Sequence, residues 1–297
     1  MKIRNLKSYM MPIAMLLGVG LYPLFSKLAF ITPWLIFIML FITYTKLDFK
    51  KIRLVKMHLW LILFQIIGSI AVYLLLHPVN EILAQGIMIC ILVPTATSAP
   101  VITHMLKGNV ENLTAYMLLS NLEMIILAPL LFSYANSRQN INFLSSFLTI
   151  SEHIVLLLLG PLMLALILKQ FLPRLSNKIG SVSGLSFYIW TVALIIVTAR
   201  TAAFIVMQGK ESFLTEILLA VGTLVVCLIQ FFTGKFIGRA YGETIAGGQS
   251  LGQKNTVLAI WMAQTYLIPL SSVGPGAYVI WQNIFNSLQV WRKRKQI

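Results

Sequence analysis

The sequence predicts an all-α polytopic membrane protein, and three observations support this fold class. Of the 297 residues, 58% are hydrophobic and 10% are charged, whereas soluble domains contain roughly 45–50% apolar and about 25% charged residues. The apolar residues form about ten runs of the length that crosses a bilayer. Lysine and arginine concentrate in alternate connecting segments, as the positive-inside rule requires of a multi-pass protein. These observations exclude a water-soluble globular protein.

Ten predicted spans follow one another with short connections. Proline and glycine mark several of their ends, where helix-breaking residues leave the fewest backbone groups unpaired. We expect one integral membrane domain over 1–297 and no soluble domain, because the longest connection, about 136–151, is too short to fold independently. The spans are predicted at 8–27, 32–46, 58–77, 82–106, 111–135, 152–172, 183–208, 214–238, 243–268 and 274–292.

The positions of the basic residues predict that both termini are cytoplasmic and that the chain lies in the cell membrane. With the N-terminus inside, only Lys27, Arg138 and Lys210 of the 23 lysines and arginines fall in outer loops. The net charge of +15 then reflects membrane orientation and gives no reason to expect a nucleic-acid partner. The basic residues from 292 to 295 are a solvated stop signal or a contact for anionic lipid headgroups.

Three ionisable residues are predicted well inside spans: Glu123 in the fifth, Arg200 in the seventh and Lys254 in the ninth. A charge at the centre of a membrane helix costs at least about 2.5–3.5 kcal/mol on insertion scales. Each is therefore a candidate for function or for a structural ion pair. Glu123 is the acid placed deep in a span, and the sequence leaves open whether Lys254 or Arg200 is its counter-ion.

Two predicted spans contain interruptions that an ordinary membrane helix lacks. Residues 94–100 of the fourth span and 247–256 of the ninth collect proline, glycine, hydroxyl and amide groups. Unwound backbone survives at membrane depth only where it is buried in protein or lines a wet cavity. The interrupted spans are each the fourth of five, which predicts two inverted repeats, at about 8–135 and 152–292, as in many transporters.

Several short motifs at these positions resemble those of the bile acid:sodium symporter family, and the likeness covers essentially the whole chain. That family has a proline-containing break in the fourth helix, a Gly-Asn loop after it, and a Gly-x-Gln-Asn sequence in the ninth helix. It also has a Pro-Gly start and an aromatic-x-Asn step in the tenth helix, and a glutamine in the third that contributes to its sodium site. The matching residues are Gln65, Pro94, Thr97, Gly108, Asn109, Gly252, Asn255, Thr256, Pro275, Gly276, Trp281 and Asn283.

The resemblance implies a ten-helix secondary transporter with a panel domain and a core domain, in which helices four and nine cross at their breaks. Family substrates are organic anions such as bile acids, sterol sulfates, pantoate and small carboxylates, and many members couple to sodium. We therefore expect a small organic anion as substrate, no cofactor and no catalytic residue. The candidate residues for binding substrate or ion are Gln65, Thr97, Ser98, Asn109, Ser250, Lys254, Asn255, Thr256 and Asn283.

The sequence departs from the family at its sodium ligands. Ala99-Pro100 stands where the family has Ser-Asn, Ser250 where it has glutamate, and Lys254 where it has glutamine. Two unit charges about 4 Å apart repel by roughly 4 kcal/mol at an effective dielectric constant of 20. We predict that the Lys254 ammonium takes the place of bound sodium, that the sodium site is degenerate, and that a proton is the remaining candidate coupling ion.

Other readings of the sequence stay open. A sodium-coupled symporter with shifted ligands and a transport-inactive membrane sensor or scaffold both accommodate the altered ligands. An intramembrane enzyme is disfavoured because Asp48, the sole aspartate, lies in a predicted loop, and the four histidines are scattered near span ends without metal-ligand spacing.

Overall fold

The computed structural model of the chain describes residues 13–48, 52–137, 142–182, 185–208 and 213–295. Within these ranges the regular secondary structure is helical, apart from one antiparallel β-bridge between Thr95 and Lys254. Two 3₁₀ helices, Ser26–Ile31 and Pro269–Ser272, connect longer elements. The α-helices are α1 (residues 13–20), α2 (Tyr22–Phe25), α3 (Thr32–Lys46), α4 (Lys56–Leu76), α5 (Glu81–Leu92), α6 (Ala99–Met105), α7 (Val110–Ser137), α8 (Phe143–Phe171), α9 (Pro173–Ser181), α10 (Leu185–Gln208), α11 (Phe213–Arg239), α12 (Thr244–Gly252), α13 (Thr256–Tyr266) and α14 (Val273–Lys295).

Six helical segments among the described residues are long and apolar enough to cross a membrane. Many of their large apolar side chains are exposed, as those of Ile126 (68%) and Phe236 (79%) illustrate. Water would oppose so much exposed apolar surface, whereas lipid accommodates it. The prediction of an all-α, multi-pass membrane protein is thus confirmed. The six segments are Tyr22–Lys46, Lys56–Leu76, Val110–Asn136, Phe143–Phe171, Tyr188–Met207 and Phe213–Arg239.

The described residues form two compact units. Unit 1 is drawn from Met1–Leu47 and Val155–Phe213, and unit 2 from Asp48–Ile154 and Leu214–Ile297. In unit 1, α10 packs on α2, α3 and the 3₁₀ helix Ser26–Ile31. A Cβ on Gly18 would lie 2.6 Å from the carbonyl oxygen of Ile195, so glycine is needed for the close approach of α1 to α10.

Two hydrophobic clusters lie among the described residues of unit 2. The first joins α5, α11 and α14 through side chains that include Ile87, Phe231 and Tyr278. The second joins α4, α7 and α12 through side chains that include Leu61 and Leu251. The first cluster includes Ile91 near the end of α5 and the second includes Leu251 near the end of α12, so the end of each helix is held inside packed protein.

The structure corrects two expectations about where helices break and begin. Residues 247–252 are helical, and the interruption in the ninth predicted span is confined to residues 253–255. Gly247 serves close packing: a Cβ there would lie 2.3 Å from the carbonyl oxygen of Gly234 on α11. The predicted connection 136–151 is also wrong over its second half, because α8 begins at Phe143. Arg138 and Lys210, which the orientation argument uses, lie outside the described residues.

Candidate functional site

Residues 94–96 and 253–255 of unit 2 pair through the antiparallel bridge between Thr95 and Lys254, and we call this pairing the crossover. The amide of Ala96 donates to the carbonyl of Gln253 at 2.8 Å, and the amide of Asn255 donates to the carbonyl of Pro94 at 2.9 Å. The Thr95 hydroxyl donates to the Ser250 carbonyl at 2.7 Å. Buried backbone that leaves a helix must find new hydrogen-bond partners, and here each broken segment provides them for the other.

The Lys254 ammonium lies at the centre of the crossover and is 1% exposed. Its Nζ donates to the carbonyl oxygen of Ile91 at 2.7 Å and to Oε1 of Gln65 at 2.9 Å. Ile91 is in the last turn of α5, where carbonyl groups lack helical partners and carry partial negative charge. The end of α5 therefore supplies an oxygen ligand for a positive charge.

Gln65 on α4 connects this ammonium to Glu123 on α7. Its Oε1 accepts from Lys254 and from the Tyr116 hydroxyl, both at 2.9 Å. Its Nε2 donates to the Leu92 carbonyl at 2.9 Å and to Oε2 of Glu123 at 2.8 Å. An ammonium only donates and a carbonyl only accepts, so these neighbours fix the orientation of the amide. Glu123 is thus linked to Lys254 through one fully bonded side chain.

Arg200, the other basic residue predicted inside a span, belongs to unit 1. It lies on α10, and its guanidinium carbon is 5.6 Å from the centre of the Phe204 ring. This distance is typical of a cation–π contact.

Gln282 on α14 contacts the crossover, whereas its neighbour Asn283, the residue predicted from the sequence, does not. The Lys254 amide donates to Oε1 of Gln282 at 2.9 Å, and Nε2 of Gln282 donates to the Lys254 carbonyl at 3.3 Å. Asn283 donates to the carbonyl of Val279 on its own helix at 2.7 Å. Adjacent helical residues point about 100° apart, so only one of the two side chains can face the crossover.

A pattern in the sequence could have identified Gln282. Tyr278, Gln282 and Asn286 recur every four residues, which places them on one face of α14. Tyr278 donates to the Gly252 carbonyl at 3.0 Å, and Asn286 accepts from Gln249 at 2.9 Å and donates to Gln253. The whole stripe is buried and holds the end of α12.

Four of the other predicted residues lie in or beside the two breaks. Asn255 caps α13, because its Oδ1 accepts from the Leu258 amide at 3.3 Å, and buried Thr256 is the first residue of that helix. Thr97 is half-buried, whereas Ser98 is exposed and its hydroxyl accepts from Gln253 at 3.4 Å.

Ser250 and Asn109 have different surroundings. Ser250 contributes its carbonyl to Thr95, and its buried hydroxyl has no hydrogen-bond partner within the part of the chain that the structure describes. Asn109 directly precedes α7, and it and Asn112 each donate to Oε1 of Glu243, the residue before α12, at 2.8 Å. Neither Asn112 nor Glu243 is among the site residues predicted from the sequence.

Comparison with known proteins assigns the chain to a family. The model of the sodium bile acid symporter family matches residues 32–208, which is more than half of the chain. The chain belongs to this family. It is also similar to YocS of Bacillus subtilis (strain 168), described as an uncharacterized sodium-dependent transporter, with 25% identity over 227 residues, 74% of this chain and 67% of that protein.

Membership in the sodium bile acid symporter family, together with the apolar helices, establishes a membrane transport protein. The family match and the relative's name point to a transporter and not to an enzyme. The match covers α4 and α7, which contribute Gln65 and Glu123, and ends before Lys254.

Proposed function

We propose that this protein is a secondary transporter that moves a small organic anion across the membrane by alternating access. We further propose that the Lys254 ammonium replaces the sodium ion that drives many members of its family. The family match supports the first part. One observation carries the second: Nζ of Lys254 is buried between the Ile91 carbonyl and Oε1 of Gln65.

The surroundings of Nζ match those of a small hard cation. Such cations bind carbonyl, amide and carboxylate oxygens, and the ammonium here binds a carbonyl and an amide oxygen, with the Glu123 carboxylate bonded to the same amide. A sodium ion entering these oxygens would meet a positive charge within a few ångströms. At about 4 Å this repulsion is roughly 4 kcal/mol at an effective dielectric constant of 20.

Substrate contacts are proposed at uncharged groups beside this cation. Thr97 and Ser98 lie in one break, and Asn255 and Thr256 begin the helix that follows the other. Hydroxyl and amide groups can replace part of the hydration shell of a carboxylate or sulfate. The positive charge of Lys254 favours an anion over a cation or a zwitterion in this region.

We propose that the chain forms one integral domain of ten membrane helices in two inverted repeats, at about 8–135 and 152–292. Reciprocal contacts in unit 2 support this arrangement. After α6, Gly108 packs so closely on Ile245 near the start of α12 that a Cβ would lie 2.5 Å from its Cγ2. After α13, the Ile268 amide donates to Gln85 near the start of α5 at 2.8 Å. Inverted repeats are expected to exchange such contacts.

Both termini are proposed to be cytoplasmic, and cysteine labelling of intact cells tests this orientation. Cys90 and Cys227 are both buried, so an introduced surface cysteine gives the main signal. A membrane-impermeant maleimide should label Lys27→Cys in intact cells and Arg292→Cys only after lysis, because both native side chains are exposed. Labelling of Arg292→Cys before lysis would reverse the proposed orientation.

Two other functions remain candidates on specific observations. A sodium-coupled symporter with shifted ligands is favoured by the name of the Bacillus subtilis relative, a sodium-dependent transporter. A transport-inactive sensor is compatible with the altered ligands Ser250 and Lys254. Transport is preferred because the buried polar groups of the crossover, which include Gln65 and Gln282, are costly to keep in a scaffold.

Thermal unfolding in sodium and in choline tests the replacement of sodium. The detergent-purified protein is melted in sodium chloride or choline chloride at matched ionic strength, at three pH values between 5.5 and 8.5. A bound ion at a hundredfold excess over its Kd stabilises the folded state by about 2.7 kcal/mol. We expect equal melting temperatures in the two salts. A sodium-specific rise would establish sodium symport instead, whereas a pH effect that Lys254→Gln abolishes would indicate proton coupling.

A further inference from the structure

We propose that this protein moves its organic anion without any coupling ion, so that an inside-negative membrane potential drives the anion out of the cell. The inference rests on the proposed function, because it takes the Lys254 ammonium as the replacement for transported sodium. It adds the mode and the direction of transport.

The cation of this site, the Lys254 ammonium, is covalently part of the protein. A coupling ion must bind from one side of the membrane and leave on the other. Lys254 cannot leave, and its Nζ already binds the Ile91 carbonyl at 2.7 Å and Oε1 of Gln65 at 2.9 Å. The second acceptor position of Oε1 is taken by the Tyr116 hydroxyl. The Ile91 carbonyl and Oε1 of Gln65 are therefore already bonded to donors of the protein.

The hydrogen bonds favour an ionised pair. The bonds run in one direction, from the Lys254 ammonium to Oε1 of Gln65 and from Nε2 of Gln65 to Oε2 of Glu123. The Leu92 carbonyl fixes the same orientation because it also accepts from Nε2. The negative end of the amide dipole thus faces the cation and its positive end faces the carboxylate. Tyr116 enters as a donor, so it carries its own proton. Oε1 of Glu123 is buried without a hydrogen-bond partner among the described residues, and the experiment therefore includes a pH gradient.

The charge that crosses the membrane in one transport cycle sets the direction of transport. The opposite charges of Lys254 and Glu123 both stay on the protein, so the net charge moved is that of the anion alone. A symporter that carries more sodium charge than anion charge moves positive charge inward, and the membrane potential then drives uptake. An uncoupled monovalent anion carries negative charge, so the same membrane potential drives it out of the cell. A potential of about 100 mV, negative inside, balances roughly a 50-fold higher anion concentration outside than inside.

The predicted direction also limits the substrate. An uncoupled carrier with this charge balance cannot concentrate a scarce external anion in an energised cell. It instead releases an organic anion that a cytoplasmic reaction produces, such as a carboxylic acid or a sulfate ester.

Transport into liposomes with a fixed membrane potential tests this inference. The full chain is reconstituted, and potassium gradients with valinomycin set the interior positive or negative. Radiolabelled pantoate is the first probe and taurocholate the second, each measured in sodium and in choline, with and without a pH gradient. We expect accumulation with the interior positive and exclusion with the interior negative, unchanged by sodium or by the pH gradient.

The possible results separate this inference from the proposed function. Uptake that requires sodium overturns both. Uptake in choline that follows the pH gradient and ignores the potential overturns only the uncoupled mode. A second measurement needs no variant. The current is recorded on a solid-supported membrane after a rapid rise in pantoate concentration, and the inference requires that net negative charge move with pantoate.

A restored sodium site provides the sharpest comparison. Ser250→Glu with Lys254→Gln returns the family residues to both positions and should make uptake sodium-dependent, with the opposite response to potential. Lys235→Gln is the matched control, since this lysine of unit 2 lies over the Phe285 ring, 5.0 Å from its centre, away from the described contacts of Lys254. If the control also gains a sodium requirement, the charge argument fails.

Discussion

Gln65 shows how one neutral side chain can hold two intramembrane charges. It makes four hydrogen bonds, to Lys254, Tyr116, Leu92 and Glu123, and is fully buried. A buried charge is tolerated only when it is paired or hydrogen-bonded. The amide separates the ammonium from the carboxylate and bonds to both, through Nζ of Lys254 and Oε2 of Glu123.

A double-substitution cycle tests this coupling at the residue scale. Lys254→Met and Glu123→Gln should each lower the melting temperature, because removal of one partner leaves a buried charge uncompensated, a loss of about 3–5 kcal/mol in fully buried pairs. The double variant should recover part of the loss, with a coupling of about 0.5–3 kcal/mol. Lys235→Met with Glu123→Gln is the control pair and should be additive. Additive effects for Lys254 and Glu123 would contradict the link through Gln65.

Gln282 provides a second residue-scale prediction with a matched neighbour. Gln282→Leu removes both side-chain bonds to the Lys254 backbone and leaves the buried Lys254 amide unpaired, while the Lys254 carbonyl still accepts from the Thr256 amide at 2.9 Å. Unsatisfied buried groups of this kind cost about 1–3 kcal/mol. Asn283→Leu loses only a bond to its own helix and should change the melting temperature less. The assignment of Gln282 to the crossover fails if the order of the two effects is reversed.

At the scale of the helices, the close packing of α12 on α11 determines where α12 ends at the crossover. Gly247 on α12 and Gly234 on α11 let the two backbones touch, with a distance of 2.3 Å from a hypothetical Cβ on Gly247 to the Gly234 carbonyl oxygen. Small residues commonly permit such close approach between membrane helices. The position of α12, and hence of residues 253–255, depends on this contact.

Gly247→Ala should therefore lower the melting temperature. The added methyl group must separate α11 from α12, and overpacking of this kind costs about 1–3 kcal/mol. Gly276→Ala is the control, because no atom lies within 4 Å of its hypothetical Cβ and alanine favours a helix. An equal effect of both substitutions would show that glycine at 247 serves flexibility and not packing.

Several elements could be predicted from the sequence and others could not, for physical reasons. Spans such as α3, predicted at 32–46 and found at Thr32–Lys46, have a proline near the start and a basic residue at the end. The sequence predicts an interruption at Gly247 and Gly248, because glycine at a helix contact and glycine in a break look alike in one sequence. The cost of a buried charge identifies Lys254 and Glu123 as candidates, but the sequence does not decide between Lys254 and Arg200 as the partner of Glu123, since the link runs through residues far apart in the chain.

At the scale of the whole molecule, the account predicts a transporter without a sodium requirement in a family named for sodium symport. We predict that the +15 net charge reflects membrane orientation, and that the anion alone carries the transported charge because Lys254 and Glu123 stay on the protein. The fold places two breaks together so that each completes the other's backbone hydrogen bonds. We therefore expect that a substitution in one break can change which ion the pair accepts without changing the fold.

Binding of radioactive sodium to the purified protein tests the replacement of sodium by Lys254 most directly. The wild-type chain is compared with the Ser250→Glu, Lys254→Gln double variant. The quantity measured for each is the bound radioactive sodium that unlabelled sodium displaces and that choline does not displace. We predict no displaceable sodium on the wild-type chain and displaceable sodium on the double variant. Displaceable sodium on the wild-type chain would contradict the account.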